Sequence, residues 1–558
     1  MLGELSEAGQ ILKSALERYY NACAAVESYC HENEPSTTDS GRIFDELTFV
    51  RGLINTLIKA KISIKYSCNS SRHTVPINRL PYEIFIYILN LAIASGHEAC
   101  KQHKSPYCYN PIHRQPETFA SVCVRWRKLV LRCPTFWSRI DLAHTNQKGR
   151  KFVPRARLWA ERSGSCPLDV RIAVRSYKYS STTVSTNFLP SIASRELGSL
   201  SFILQGVNNI KEDSFFHQYL SNWEPGTLRK LVVEKTSLLD RSSRLIRSTD
   251  GGTHQDSQSY LRIDLPHEHL EAFWRPIKIL RLYGMYIDWG SQAYHGLVEL
   301  SLISSQGTYV NIATISESQL KAILTSSPGL RIFRFGLKVL PDISLTLPAG
   351  STVEPVQLDD LQILDVDLQP RTEKSLPYIL RWVSPGSKPL MLLLPRCHGS
   401  ISESDLITQN RPEIDTFLRR AKVTELCIYT RAASIDWLLS LVPDLRTLSV
   451  SLGSISGNLV LTDECELSLS IPANTIDKLC TISSHLQMSS FSQWLSRLPP
   501  IGQLVFWSST FIFSAGVTAD AAKLLNHPQL LNICPDVKVS CEKLHSIIGL
   551  EPPRGYTY

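Results

Sequence analysis

The sequence predicts a fold of the α+β / α/β solenoid class, with a helical start followed by a strand-and-helix solenoid over most of its length. Three observations carry this. Two amphipathic stripes at helical spacing precede residue 70, a compact helical segment follows at 75–142, and beyond Pro154 a Leu-x-x-Leu-x-apolar pattern recurs between amphipathic stretches. With 558 residues, 43% of them hydrophobic, the chain can bury a large core divided among two or three folded units.

The N-terminal part, 1–70, reads as a helical hairpin. Ile11, Leu12, Ala15, Leu16, Tyr19 and Cys23 share one helical face, and Phe44, Leu47, Val50, Ile54 and Leu57 share another after a polar linker. The two stripes are expected to pack on each other or on the next domain, and no chemistry is assigned to them. Charges interrupt the apolar positions of MLGELSEAGQILKSALERYY, so no secretory signal is expected there. No later run is apolar for long enough to span a membrane.

Segment 75–142 opens with Ile77-Asn78-Arg79-Leu80-Pro81. Pro81 suits a first helical turn and Glu83 complements the helix dipole. Ile84, Phe85, Ile86, Ile88, Leu89, Leu91 and Ile93 then leave almost no polar face, so this helix needs cover on more than one side. Phe119, Val122, Cys123, Trp126 and Val130 form a second stripe, with Arg125, Arg127, Lys128 and Arg132 mostly off it; Pro134 ends that helix, and Trp137 and Ile140 fold back on it. Cys123 is expected in the core rather than as a nucleophile.

Leu80-Pro81-x-Glu83-Ile84-x-x-x-Ile88, Val122-Cys123-x-x-Trp126 and Pro134-x-x-Trp137-x-x-Ile140, taken in that order, resemble an F-box of the form common in large fungal families. The resemblance implies a three-helix module docking on the Skp-type adaptor of a cullin-RING ubiquitin ligase. It implies that Leu80, Pro81, Ile84, Ile88, Val122 and Trp126 contribute to that contact or to the small core behind it. This chain departs from the compact pattern by an insertion at 95–115. His97, Cys100, His103, Cys108 and His113 of that insertion are zinc-type atoms at spacings that match no ligand pattern, so no metal or other cofactor is expected.

Region 154–558 is expected to be the recognition domain. The pattern occurs strictly at Leu197-Leu200-Phe202, Leu228-Leu231-Val233, Leu297-Leu300-Leu302, Leu361-Leu364-Val366 and Leu445-Leu448-Val450. It occurs more loosely at Ile277-Leu280-Leu282, Leu330-Phe333-Phe335, Val423-Leu426-Ile428 and Ile501-Leu504-Phe506. ESQLKAILTSSPGLRIF and IDWLLSLVPDLRTLSV each read helix, turn, strand. Such repeats describe an irregular leucine-rich-repeat-like solenoid with parallel strands. Pattern residues point into the core, and the residues between and beside them face a concave surface. That places Arg281, Tyr283, Arg334, Asp365, Asp367, Tyr429, Ser449 and Trp507 on an exposed client-binding face. The run from Arg241 to Tyr260 is expected to be a mobile loop, and 341–355 another.

Composition excludes several functions. Lys and Arg number 59 against 51 Asp and Glu, with both signs interspersed, which is too even for a nucleic-acid partner. Fourteen cysteines without a repeating spacing indicate reduced thiols of a cytoplasmic or nuclear protein, in which Asn69-Ser70-Ser71 stays unglycosylated. There is no GxxxxGK[ST], GxGxxG or HExxH, and Gly453-Ser454-Ile455-Ser456-Gly457 puts Ile where a nucleophile elbow needs Ser. The expectation is therefore a non-enzymatic substrate receptor of a cullin-RING ligase, with an unidentified client protein. The alternative is a leucine-rich-repeat interaction scaffold outside any ligase.

Overall fold

The computed structural model describes residues 2–33, 36–71, 73–101, 115–144, 149–175, 196–205, 212–236, 243–250, 259–304, 313–342, 354–368, 372–394, 409–429, 432–451, 475–482, 485–507, 509–512, 518–520, 530, 534 and 536–540. The chain divides into two compact units: residues 1–92 with 117–129, and residues 93–116 with 130–558. The fold is mixed α/β, built on one large parallel sheet.

The first unit begins with α1 (Leu2–Glu32) and α2 (Thr37–Ser70). Ser36 caps α2, its hydroxyl accepting from the Asp39 N–H at 3.3 Å. Tyr19 of α1 lies beside Glu46 of α2; partial desolvation and that carboxylate raise its hydroxyl above the ordinary range. The two stripes are helical as expected, yet they are not covered: α1 buries no residue, and Leu12, Leu16, Leu47 and Ile54 are all exposed. Two long helices side by side have too little mutual surface to hide stripes this wide.

A 3-10 turn (Pro76–Arg79) leads into α3 (Tyr82–Lys101), where the Pro81 carbonyl accepts the first helical N–H, from Phe85, at 3.1 Å. α4 (Gln115–Val122) and α5 (Val124–Arg132) replace the single helix expected over 119–132. The break is at Cys123, whose carbonyl accepts from the Arg127 N–H at 2.9 Å and whose sulfur accepts from the Trp126 N–H at 3.5 Å. Cys123 thus starts α5 and is only half-buried, a correction to its expected place in the core.

In the second unit Pro134 opens a 3-10 turn, and Trp137 is fully buried, its Nε1 donating to the Val130 carbonyl at 2.8 Å. The Trp159 ring of α6 (Gly149–Arg162) meets the Trp137 ring edge-on at 5.5 Å. The sheet comprises β1 (Arg139–His144), β2 (Leu168–Arg175), β3 (Leu197–Gln205), β4 (Lys230–Thr236), β5 (Ile279–Tyr283), β6 (Glu299–Ile303) and β7 (Ile332–Gly336). It continues with β8 (Ile363–Val366), β9 (Leu390–Leu393), β10 (Val423–Tyr429), β11 (Thr447–Ser451), β12 (Ile476–Ile482), β13 (Ile501–Trp507) and β14 (Val537–Ser540). Each strand pairs in parallel with the next, so spatial order equals chain order.

The register stacks equivalent residues. Ile140, Val170, Leu200, Leu231, Leu280, Leu300, Phe333, Leu364, Leu392, Leu426, Leu448, Leu479 and Leu504 form one row along the sheet. None of them is more than 1% exposed. The five strict and four looser matches of the sequence pattern fall on nine of the fourteen strands. Strands β1, β2, β9 and β14 escaped because Trp137, Pro167, Pro389 and Cys534 stand where the pattern has its leading aliphatic, and β12 because Thr481 ends it. Thr481 is buried, with its hydroxyl 3.3 Å from Ser509 Oγ.

Helices return the chain between strands: α7 (Glu212–Leu220), α8 (His267–Trp274), α9 (Glu317–Thr325), α10 (Leu376–Trp382), α11 (Arg411–Arg420), α12 (Ala432–Leu441) and α13 (Met488–Leu495). Neighbouring strand–helix units are latched by polar groups. Glu317 of α9 accepts from Trp382 Nε1 at 2.8 Å and Arg381 Nη1 at 3.3 Å, and the Arg420 guanidinium donates to the Leu380, Arg381 and Val383 carbonyls at the end of α10. Of the run expected as a mobile loop from Arg241 to Tyr260, 241–242 and 251–258 lie outside the described residues, and the remainder is partly strand. Arg244–Ser248 pairs in parallel with Ser259–Ile263 and Met285–Ile287, because Leu245 and Ile246 supply the apolar side chains it buries. Of the second expected loop, 343–353 lies outside the described residues.

Gly336, Gly386 and Gly502 are each required by close approach of backbone, Gly336 most tightly. A Cβ on Gly336, at the end of β7, would sit 2.2 Å from the Asp367 carbonyl oxygen, whereas one on Gly329 meets nothing within 4 Å. Gly336→Ala is expected to destabilise the fold by about 1–3 kcal/mol through this overpacking, with Gly329→Ala much milder. Urea unfolding of the two variants beside the parent checks this.

Candidate functional site

Two surfaces carry the residues singled out by sequence. The first is on α3. Phe85 and Leu89 are 3% and 2% exposed and form its inner face, with the Phe85 ring 4.9 Å from Trp126 in an edge-on contact. Ile84, Tyr87, Ile88 and Leu91, at helical spacing, are 49%, 61%, 38% and 51% exposed. Val122, at the end of α4, is also exposed. Leu80 is half-buried, Pro81 exposed, and Trp126 half-buried between Phe85 and Phe119. So Ile84, Ile88, Pro81 and Val122 are available for contact, while Trp126 belongs to the small core behind them.

The basic residues of α5 serve structure in part. Asn78, 2% exposed, donates through Nδ2 to the Asn69 carbonyl at 2.7 Å, and its own carbonyl accepts from Arg125 Nη1 at 2.8 Å. Arg125 and Asn78 thereby tie α5 to the end of α2. Sequence reading missed this pair, since nothing in its spacing marks a lock across 47 residues.

The second surface is the sheet face opposite the apolar row. There Arg281, Ser301, Arg334, Asp365, Leu393, Cys427, Ser449, Cys480 and Val505 are consecutive partners along the strands. The strand register therefore brings Arg281, Arg334 and Asp365 together as expected, with Tyr283 on the neighbouring row. Their exposure differs from expectation: Arg334, Tyr283 and Ser449 are buried, and Arg281, Asp365, Asp367 and Trp507 are half-buried. Long side chains stacked every strand spacing, near 4.8 Å, shield one another from water even on an open face. Tyr429 is the last residue of β10, with Ser451 as its register partner.

Arg281 is held by Glu299 in a two-pronged ion pair, Nε to Oε1 at 2.6 Å and Nη2 to Oε2 at 3.0 Å. Arg334 Nε is 3.9 Å from Asp365 Oδ2, too long for a hydrogen bond. Burial pushes the Asp365 carboxyl up to about 6, with Arg334 opposing, and pushes Asp367 up to about 7, with the Asp365 charge adding to it. Burial likewise raises Tyr283. Glu299 and Glu234, both buried here, were not singled out by sequence, although each immediately precedes or follows a pattern residue. Toward the C-terminal strands the same face turns apolar: Leu393, Cys427, Cys480, Ile482 and Val505 cluster, with Ile363, Met391 and Trp507 against them. Burial raises the Cys427 and Cys480 thiols, Cys480 to about 11, so neither is a ready nucleophile.

Among the described residues no group of three or more His, Cys, Asp and Glu is placed to hold a metal, and no helix is long and apolar enough to cross a membrane. His103, Cys108 and His113 lie outside the described residues. Compared with known proteins, the chain matches no family model and no curated protein.

Asp365 and Asp367 are both raised above their unfolded values, so the folded state binds more protons and the stability they contribute falls as pH climbs from about 4 through about 7. Asp367→Asn is expected to leave stability near pH 4 unchanged and to raise it at pH 8, by on the order of 1–3 kcal/mol. Thermal melts of parent and variant at pH 4.5 and 8 provide the check.

Proposed function

We propose that this chain is a non-enzymatic substrate receptor of a cullin-RING ubiquitin ligase. In this reading the F-box-like segment, 75–142, docks on a Skp-type adaptor, and the sheet region acts as an irregular leucine-rich-repeat-like solenoid that holds a client protein. The observation that carries it is the second apolar face of α3: a helix whose inner face is already filled by Phe85 and Leu89 leaves Ile84, Tyr87, Ile88 and Leu91 to water. An exposed apolar stripe of this kind is a cost to an isolated chain and a gain to a complex. Leu80, Pro81 and Val122 border it, and Trp126 supports it from behind.

Client contact falls to the opposite sheet face, where half-buried Arg281, Asp365 and Asp367 offer polar groups over buried Arg334 and Tyr283 and half-buried Trp507 offers apolar surface, with Tyr429 between them in strand order. A fixed charge pair beside an apolar cluster suits a protein segment better than a nucleic-acid backbone. The mechanism is proximity: a client held on the receptor is presented at raised effective concentration to a transfer reaction carried by other subunits.

The test is adaptor binding by the full chain carrying Ile84→Asp and Ile88→Asp. Both side chains lie off the Phe85–Trp126 contact, so the circular-dichroism spectrum is expected to stay that of the parent while affinity for the Skp-type adaptor falls by about 100-fold or more. Absence of adaptor binding by the parent, or equal binding by the variant, overturns the reading and leaves an interaction scaffold outside the ubiquitin system.

A further inference from the structure

The hairpin of α1 and α2 has no part in the adaptor or client surfaces, yet it is the most apolar exposed region among the described residues. On α2, Phe44, Leu47, Ile54, Ile58 and Ile62 are 71%, 53%, 49%, 49% and 61% exposed and lie on one side of the helix. Leu2, Leu5, Ile11, Tyr20 and Tyr29 of α1 are likewise exposed. A solvated apolar surface of this extent marks an interface.

We infer that the hairpin binds a second copy of itself, antiparallel, to make a four-helix bundle that dimerises the chain. The α2 stripe is self-complementary about its middle: in an antiparallel copy Phe44 comes opposite Ile62, and Leu47 opposite Ile58. Charge chooses the same orientation. The first half of α2 carries Asp39, Asp45 and Glu46 against Arg42 and Arg51, while the end of the helix carries Lys59, Lys61 and Lys65 with no acid among them. On α1, Glu27 and Glu32 add to the acidic end; Glu4 and Glu7, partly offset by Lys13, leave the other end net positive. An antiparallel copy sets each acidic end on a basic one, and a parallel copy sets like on like.

The area is sufficient. A helix of 34 residues is about 50 Å long, and two side by side are about 20 Å wide. That face offers about 1,000 Å² per copy, against about 800 Å² per partner in a stable interface. The exposed residues are side chains that a bundle core takes, Ile, Leu, Phe and Tyr.

The experiment is sedimentation equilibrium of the full chain at low salt, with a dimer of twice 62.8 kDa expected. The variant Lys59→Glu, Lys61→Glu, Lys65→Glu is expected to raise the dissociation constant about tenfold or more. So is the variant Glu27→Lys, Glu32→Lys, Asp45→Lys. Mixing the two is expected to restore a dimer, now mixed, which no misfolded variant would do. Leu47→Asp, at an exposed site, is expected to yield monomer with helix content retained. A parent chain that stays monomeric at tens of micromolar overturns the proposal, as does a dimer insensitive to both charge reversals. Neither result bears on adaptor binding, which uses α3.

Discussion

The parallel ladder that stacks Ile140 through Leu504 in one row is the constraint on which the second unit depends. No single strand of four to nine residues can bury its own apolar side; each acquires cover only from the helix or short strand that follows and from the strands on either side. A burial worth about 1.5–3 kcal/mol per large aliphatic side chain is therefore shared between neighbours, and removing one strand costs the adjacent two their cover as well. The row tolerates irregular return segments because it fixes only the strand, not what lies between. Successive row residues are 20 positions apart from Leu280 to Leu300 and 49 apart from Leu231 to Leu280, with register intact on both sides.

The same ladder dictates the chemistry of the opposite face. Once one side of each strand is committed to the core, the intervening residues must line up strand after strand, at a spacing that brings charges close whatever their sign. Arg281 with Glu299 and Arg334 with Asp365 are arrangements that spread opposite charges across adjacent strands, so partial burial is tolerated. Burial raises the Asp367 carboxyl and the Asp365 charge beside it adds to the rise. Where the face turns to Leu393, Cys427, Cys480 and Val505 the electrostatic problem disappears, and packing alone suffices.

Much of this was legible in the sequence, and the failures have physical reasons. The Leu-x-x-Leu-x-apolar pattern located nine strands because it records two successive inward positions and a lead-in aliphatic, a feature of local geometry. It failed where another side chain does that job: Trp137 by packing on Trp159, Pro167 and Pro389 by entering the strand with fixed φ, Thr481 by sharing a hydrogen bond. The break at Cys123 was hidden because a helix interrupted by one residue keeps nearly the same apolar spacing, and only the sulfur and carbonyl contacts reveal it. Exposure was the least legible quantity. Membership of a face follows from alternation along one strand, whereas burial of Arg334 or Tyr283 depends on neighbours that come from other strands.

Helix α3 shows how one element can satisfy folding and leave a surplus. A stable amphipathic helix needs one apolar stripe, and Phe85 with Leu89 provides it against Trp126. Ile84, Tyr87, Ile88 and Leu91 add nothing to that contact and lower solubility, so within the folding problem they are unexplained. Substituting polar residues for them would make the chain a better-behaved monomer; that the sequence carries four apolar residues in a row along this side, beside Pro81 and Val122, is therefore an argument about binding. The basic side chains of α5 sharpen it. Arg125 is spent on the Asn78 carbonyl and Arg127 on the Ala120 carbonyl at 2.9 Å, so these two guanidinium groups are committed to holding the helices and the apolar stripe is what this module presents.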